Sequence, residues 1–207
     1  MPPNDRPPLI LASASPRRLE LLKQIAVIPE KILPADVDET PEPRELPTQL
    51  VKRLAEIKAR CVAEKNPGVL VLGADTVVAC GRRVLGKAQG EEEARKFLTL
   101  LSGHRHRVHG GIALIDQNGL LRTRLITTSV VFKRLSEQEI IGYIKSKEWQ
   151  GKAGAYAIQG RAGAFVRKIN GSYSNVVGLS LLETSGLLQG AGYTMSFPNS
   201  EHGCSND

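Results

Sequence analysis

The run Ser13-Ala14-Ser15-Pro16-Arg17-Arg18 joins a short apolar segment, residues 9–12, to one in which Leu19, Leu22 and Ile25 recur at helical spacing. A strand that hands over to a helix at this point exposes the unpaired N–H groups and partial positive charge of a helix N-terminus. Proline suits the first helical position, and Ser15 suits the N-cap before it. Ser13 adds a hydroxyl at the same spot, while Arg17 and Arg18 leave the helix on different sides. The chemistry of such a junction is the holding of an anion, a phosphate chain foremost. A capped surface helix with solvated arginines has the same short sequence, so the junction alone decides nothing.

Three further stretches carry candidate chemistry. In Gly73-Ala74-Asp75-Thr76 an acid follows the continuous apolar run 69–74. A carboxylate at a strand end beside small residues is a frequent catalytic or metal-binding position, and also a common turn former. Lys87 follows Gly86 after a hairpin expected from 76–79 and 83–85, and lies within reach of the same cleft. Lys58 comes four residues after Leu54 on a helix expected over 48–65. It borders the apolar stripe of Leu50, Leu54, Ile57 and Cys61, from which its long stem can snorkel into a cleft.

The stretch Gly151-Lys152-Ala153-Gly154-Ala155-Tyr156-Ala157-Ile158-Gln159-Gly160 is rich in small residues that let a backbone approach a flat ligand. Gln159 offers one acceptor and two donors, suited to a base edge, and Tyr156 either stacks or belongs to the core. The spacing is not that of a Walker phosphate loop. His104, His106 and His109 are interleaved with arginines, and we read them as a solvated basic loop rather than a metal site.

The elements that must position these groups divide the chain in two. The first half reads as strand–helix units: strand 9–12, helix 16–25, an edge strand 27–33, an acidic proline-rich loop 34–47, then the helix and strand above and a helix 91–101. The second half reads as long strands 107–116 and 120–132 joined by Gln-Asn-Gly, a helix opened by the capping box Ser136-x-x-Glu139 and running to about 147, a loop 150–163, a strand 164–169, and a segment 176–188 that ends in a helix. The fold class is α/β with a mixed sheet. A single domain over 9–188 is expected, with a ligand cleft between two lobes and loose tails at 1–8 and 189–207.

The chain has 207 residues and a formal net charge of +7. That balance favours anionic partners. No apolar run approaches the length of a membrane span, the N-terminus lacks a secretory apolar region, and three cysteines form no C-x-x-C pair. These features fit a cytoplasmic protein without membrane contact. Aromatic residues make up only 4%, which disfavours a stacking nucleic-acid binder, and no nucleic-acid partner is expected. Carboxylates facing a polyphosphate are costly without an intervening metal, which disfavours a pure nucleotide-binding regulator.

Taken together, SASPRR, RLAEIKA, GADTVV, GK, LSG and GKAGAYAIQGRAGAFVRKINGSYSNVVGLSL resemble the Maf family of nucleotide pyrophosphatases over about residues 9–188. The long second block resembles the branch that acts on dTTP and UTP. The resemblance implies a two-lobed fold with a long mixed sheet, similar to inosine triphosphate pyrophosphatases, and often a homodimer. It implies that Asp75 is the catalytic acid–base residue or a metal ligand, and that Glu39 helps hold a divalent cation, Mg2+ or Mn2+. It places Ser13, Arg17 and Arg18 at the phosphate junction, where we also count Ser15 among the substrate-binding residues, and Lys58 and Lys87 on the triphosphate, with Thr76, Gln159 and one arginine of the pair bearing on nucleotide choice. The chain departs from the family pattern at Lys87-Ala88-Gln89-Gly90, where proline and an acid are usual after the lysine.

Overall fold

The computed structural model describes residues 6–195. Its seven strands form one mixed sheet in the order β2-β1-β3-β5-β6-β7, with β4 paired to β3 off this path. The strands are β1 (Leu9–Ala12), β2 (Lys31–Ile32), β3 (Leu70–Cys80), β4 (Arg83–Leu85), β5 (Arg105–Ile115), β6 (Leu121–Phe132) and β7 (Val166–Asn170). The helices are α1 (Pro16–Gln24), α2 (Pro47–Ala63), α3 (Glu91–Leu101), α4 (Glu137–Lys145), α5 (Tyr173–Val177) and α6 (Leu181–Gly190). β1 runs parallel to both β2 and β3, and every other pair is antiparallel.

β3 is longer than its local sequence suggests. The sequence reading ends a strand at 74 and starts a hairpin at 76, but β5 pairs with β3 without interruption from Val71 to Ala79. A distant antiparallel partner therefore carries the strand straight through Asp75. On its other edge β3 changes partner: β1 pairs with residues 70–73 and β4 with residues 78–80. Among the described residues, 74–77 have no strand on that edge, and the sheet forks there.

α2 lies across β3 and β5 on one face of the sheet. Its buried side chains, Leu50, Val51, Leu54, Ala55, Lys58, Ala59 and Val62, recur at the three- and four-residue spacing of a single stripe. The stripe is rotated from the expected one, because Ile57 and Cys61 are only partly buried. Close contact sets the rotation. A Cβ on Gly73 would stand 2.5 Å from the Ala55 carbonyl oxygen, and one on Gly111 would stand 2.3 Å from the Val51 carbonyl oxygen. Two glycines opposite two alanines let the helix backbone rest directly on the strands.

The apolar side chains gather at the two ends of the long strands. One cluster joins β1, α1 and α6 to the first half of β3, with Leu11, Leu22, Leu72, Leu114 and Leu188 at its centre. The other joins α3, α4 and the loop before β7 to the far ends of β3, β5 and β6, around Leu98, Phe132, Tyr143 and Phe165. The expected loose tail after 188 differs over its described part: α6 continues to Gly190, and Tyr193 is buried in the first cluster with Arg6 over its ring. Residues 1–5 and 196–207 of the expected tails lie outside the described residues. The expected edge strand 27–33 contracts to Lys31–Ile32, since Pro29 cannot donate to a ladder. The segment 176–188 ends in a helix as expected, α6, and a short separate helix, α5, precedes it and stops at Gly178, whose φ of +145° suits glycine.

Candidate active site

The fork in the sheet presents β3 to a cleft of about 690 Å³. Successive strand residues face opposite sides, so Asp75 shares the α2 face with Gly73 and Val77, whereas Thr76 faces α1. All ten residues singled out above, Ser13, Ser15, Arg17, Arg18, Glu39, Lys58, Asp75, Thr76, Lys87 and Gln159, line this one cleft.

On the α2 side, Lys58 Nζ donates to Asp75 Oδ1 at 2.7 Å and lies 2.6 Å from Glu39 Oε1. Lys58 is thus not at the border of the helix stripe but within it, its side chain only 10% exposed. Burial in the stripe is tolerated because two carboxylates neutralise the ammonium. Glu39 comes from the acidic loop, and its other oxygen faces Lys87 at 3.9 Å. Partial burial pushes the Glu39 carboxyl up, but the Lys58 hydrogen bond and the Lys58 and Lys87 charges outweigh it, and its pKa lies below the usual value.

The acidic loop is tied down beside Glu39. Arg53 grips Glu45 with Nε at 2.7 Å and Nη2 at 2.8 Å, and the same Nη2 donates to the Thr40 carbonyl at 3.0 Å. This bidentate pair has the geometry in which arginine outperforms lysine. Sequence reasoning missed it, although Arg53 stands in the RLAEIKA run.

On the α1 side, Arg18 is buried, and each of its three guanidinium nitrogens makes a hydrogen bond. Its Nη1 donates to Ser13 Oγ at 2.8 Å, its Nη2 to Thr76 Oγ1 at 3.3 Å, and its Nε to the Gly178 carbonyl at 3.0 Å. Thr76 Oγ1 donates to the same carbonyl at 3.2 Å. Burial lowers the Arg18 pKa, with Asp75 opposing that shift. Arg17 has one bond, from Nε to the Val177 carbonyl at 3.2 Å, and is only half-buried. The two arginines therefore divide: Arg18 knits the junction to β3 and the α5–α6 turn, and Arg17 keeps donors for the cleft. Ser15 is the residue before α1 but makes no side-chain cap; its N–H donates to Ser13 Oγ at 3.2 Å.

The far wall is the loop 151–160. The Gly154 N–H reaches the carbonyls of Leu85 at 2.9 Å and Gly86 at 3.0 Å, and Lys87 forms an isolated bridge with Ala153. The loop thereby carries Gln159 and anchors the backbone of Lys87. Lys152, quoted in the motif but given no part, lines the cleft too; burial lowers its pKa, and the nearby Arg17 charge adds to the effect. At the departure from the family pattern, Ala88 is buried and Gln89 closes the turn, its N–H donating to Glu93 Oε2 at 2.8 Å.

The histidines differ from the reading as a solvated loop. His106 and His109 lie in β5 and are buried, because β6 pairs along the whole strand and aromatic residues cover His106. His109 Nδ1 lies 2.9 Å from Thr127 Oγ1. Only His104 lies outside the strand and exposed.

Comparison with known proteins agrees with this architecture. The chain is 61% identical over 185 residues to a Paramagnetospirillum magneticum protein named dTTP/UTP pyrophosphatase, covering 89% of this chain and 97% of that one. It is 54% identical over 187 residues to a protein of the same name from Caulobacter vibrioides, covering 90% and 97%. Among solved structures, a HAM1 protein from Coxiella burnetii shares the fold with a TM-score of 0.52 at 19% identity, over 88% of this chain and 98% of that one. The family model described as Maf-like protein matches residues 8–191. With nearly the whole described chain inside that match, the protein belongs to the Maf family.

Proposed function

We propose that the protein hydrolyses dTTP and UTP to the nucleoside monophosphate and pyrophosphate. The observation that carries this reading is the convergence of Asp75 and Glu39 on Lys58 in a cleft whose other walls supply Arg17, Lys87 and the N-terminus of α1. Close relatives named for the same reaction support it.

A divalent cation fits the donor set. Glu39 and Asp75 offer hard carboxylate oxygens to a point where a positive charge already sits, and Asp75 Oδ2 has no protein partner among the described residues. Among the described residues no third acid, histidine or cysteine joins them there. Two carboxylates, with phosphate oxygens and water, are the usual complement for Mg2+ or Mn2+. When bound, the cation neutralises charge on the triphosphate.

A triphosphate carries roughly four negative charges near neutral pH, so shielding must precede attack. Arg17, Lys87 and the exposed N–H groups of the junction hold the phosphate chain, while Arg18 keeps the junction in place. Asp75 accepts a proton from water as the water oxygen bonds to the α-phosphorus. The bridging bond to the β-phosphate breaks, and pyrophosphate leaves with its charge balanced by the surrounding cations. Gln159 and Thr76 bear on the nucleobase. Gln159, exposed on the cleft wall, pairs with the O4/N3 edge of uracil or thymine, and a mismatched edge forfeits those hydrogen bonds.

The test is pyrophosphate release with Mg2+ or Mn2+ across dTTP, UTP, CTP, dCTP, ATP and GTP, with Asp75→Asn alongside. Release from dTTP and UTP that vanishes in the variant is the expected result. Release from other nucleotides alone overturns the base assignment, and no release from any overturns the reaction. As an extension of the same reading, we place the enzyme in the cytoplasm as a homodimer, which cell fractionation and sedimentation test. No described helix is long and apolar enough to cross a membrane.

A further inference from the structure

The loop that carries Gln159 is fastened from beneath by two buried hydrogen bonds that the reaction above does not use. Tyr156, at the floor of the cleft, puts its hydroxyl 2.9 Å from Nε2 of His106. The N–H of the next residue, Ala157, donates to Oη of Tyr143 at 2.9 Å. His106 comes from β5 and Tyr143 from α4, so two separate elements hold two consecutive loop residues. All three side chains are buried.

These polar groups sit where apolar ones would pack as well. His106 stands edge-on to Phe132 and Tyr156 at centroid distances of 5.0 and 5.4 Å, and Tyr143 edge-on to Phe165 at 5.4 Å. His106 Nδ1 has no partner among the described residues. Burial lowers the His106 pKa to about 4, so the ring is neutral near neutral pH. With Nδ1 unpartnered, Nε2 and Tyr156 Oη share a single hydrogen bond, and the tautomer of the ring sets which of the two donates. A core that needed only volume would not keep an imidazole with one idle nitrogen.

The backbone between the cleft wall and these anchors is strained. Ala155 is fully buried with φ of +56°, a left-handed conformation that side-chain-bearing residues seldom adopt. Such a conformation persists only where the surroundings over-determine it, and it concentrates at functional sites. Here the Leu85 and Gly86 carbonyls hold Gly154 on one side, and the two buried hydrogen bonds hold Tyr156 and Ala157 on the other.

We propose that His106 and Tyr143 are positioning residues for base selection, holding the loop 151–159 in the backbone path that presents Gln159 to the nucleobase. The inference rests on the assignment of Gln159 as the base-reading group. A purely structural role would lower turnover of every nucleotide alike, whereas a positioning role acts on the ratio between them.

The experiment measures kcat/KM for UTP and CTP, with thermal unfolding alongside, in the unmodified enzyme and five variants. Tyr143→Phe removes one oxygen and keeps the ring, His106→Leu removes the bond to Tyr156, and His106→Gln keeps an amide donor. Gln159→Ala and its combination with Tyr143→Phe complete the set. The expected result is a UTP-to-CTP ratio lowered at least about tenfold by Tyr143→Phe and by His106→Leu, with substantial recovery in His106→Gln. Tyr143→Phe added to Gln159→Ala lowers the ratio no further, since both act through one group. If Gln159→Ala lowers the ratio and Tyr143→Phe does not, the clamp is overturned and the base contact stands. A ratio unchanged by Gln159→Ala overturns the base contact and the clamp with it. Tyr143→Phe keeps the test decisive should His106→Leu fail to fold.

Discussion

Lys58 Nζ stands 2.7 Å from Oδ1 of Asp75, although the two residues are separated by 17 positions and belong to different elements. The distance follows from α2 lying directly on β3, with Gly73 beneath Ala55 and Ala59. The geometry of the acid is therefore set by a helix–sheet contact rather than by a loop.

Asp75→Asn retains the shape of the side chain and the Lys58–Glu39 pair. We expect the variant to fold, with a thermal midpoint lowered by the loss of one of the two charges that neutralise buried Lys58, and to lose at least about 10²-fold in kcat, as removal of a positioned acid–base group does. Parent-like turnover would assign the proton acceptor elsewhere.

Gly73→Ala tests the contact itself. The new methyl meets the Ala55 carbonyl oxygen at 2.5 Å and the Ala59 nitrogen at 2.8 Å, both backbone atoms that cannot rotate aside. The expected cost is about 2 kcal/mol or more, because α2 must lift from the sheet. Since α2 carries Lys58, activity should fall by more than the folded fraction does. Urea titration and turnover on the same sample separate the two.

Arg18→Lys and Arg17→Ala should part company. Lysine cannot reproduce the fork that reaches Ser13, Thr76 and Gly178, so the first variant is expected to lose about 2–4 kcal/mol of stability together with activity. Arg17 contributes a single backbone bond, so its variant should unfold within about 0.5 kcal/mol of the parent while KM rises for every nucleotide. Equal stability losses in the two would refute the division.

Glu39→Gln keeps a neutral oxygen beside Lys58 and removes one negative charge. The proposed cation should then bind more weakly, with about tenfold more Mn2+ needed for half-maximal rate and a smaller change in the rate at saturation. Chelation of the metal should abolish turnover in the parent and leave the fold intact.

Acid should destabilise the protein over a range that begins above the ordinary carboxylate titration. His106 is held neutral, its pKa lowered by burial from the ordinary 6.5 to about 4. Between those values the unfolded chain binds a proton that the folded ring refuses, so stability falls as pH falls from 6.5 towards 4. The full effect is about 3 kcal/mol. His109, its pKa lowered by burial and by Arg107, adds to it in the same direction. His106→Leu should flatten the dependence of unfolding free energy on pH across this range; an unchanged slope would place the effect in other groups.

Much of the cleft was legible because its chemistry is local. A serine-proline-diarginine turn after a strand, an acid after an apolar run and a lysine beside a helical stripe each announce themselves within a few residues. What escaped depends on distant partners. Asp75 reads as a strand-end residue until β5, beginning some thirty residues later, is seen to pair beyond it. His106 reads as basic and solvated until Phe132 and Tyr156 are placed around it. The Arg53–Glu45 pair joins a loop to a helix across eight residues, and no periodicity marks it. The Gly178 carbonyl, just ahead of the helix that ends the segment 176–188, is where Arg18 and Thr76 meet, and nothing local to Gly178 marks it as their acceptor.

The fork in the sheet makes β3 a ruler with a parity. Asp75 and Thr76 are consecutive, so the acid faces α2 and the hydroxyl faces the arginines only while the strand keeps its count. One residue inserted between Leu70 and Asp75 would exchange the two faces and point the carboxylate at Arg18, whereas two inserted residues would restore the faces but move both groups along the strand. Length changes at the Gly81 or Gly119 turns alter neither the parity nor the distance. Natural variation in length should therefore collect at those turns and spare β3.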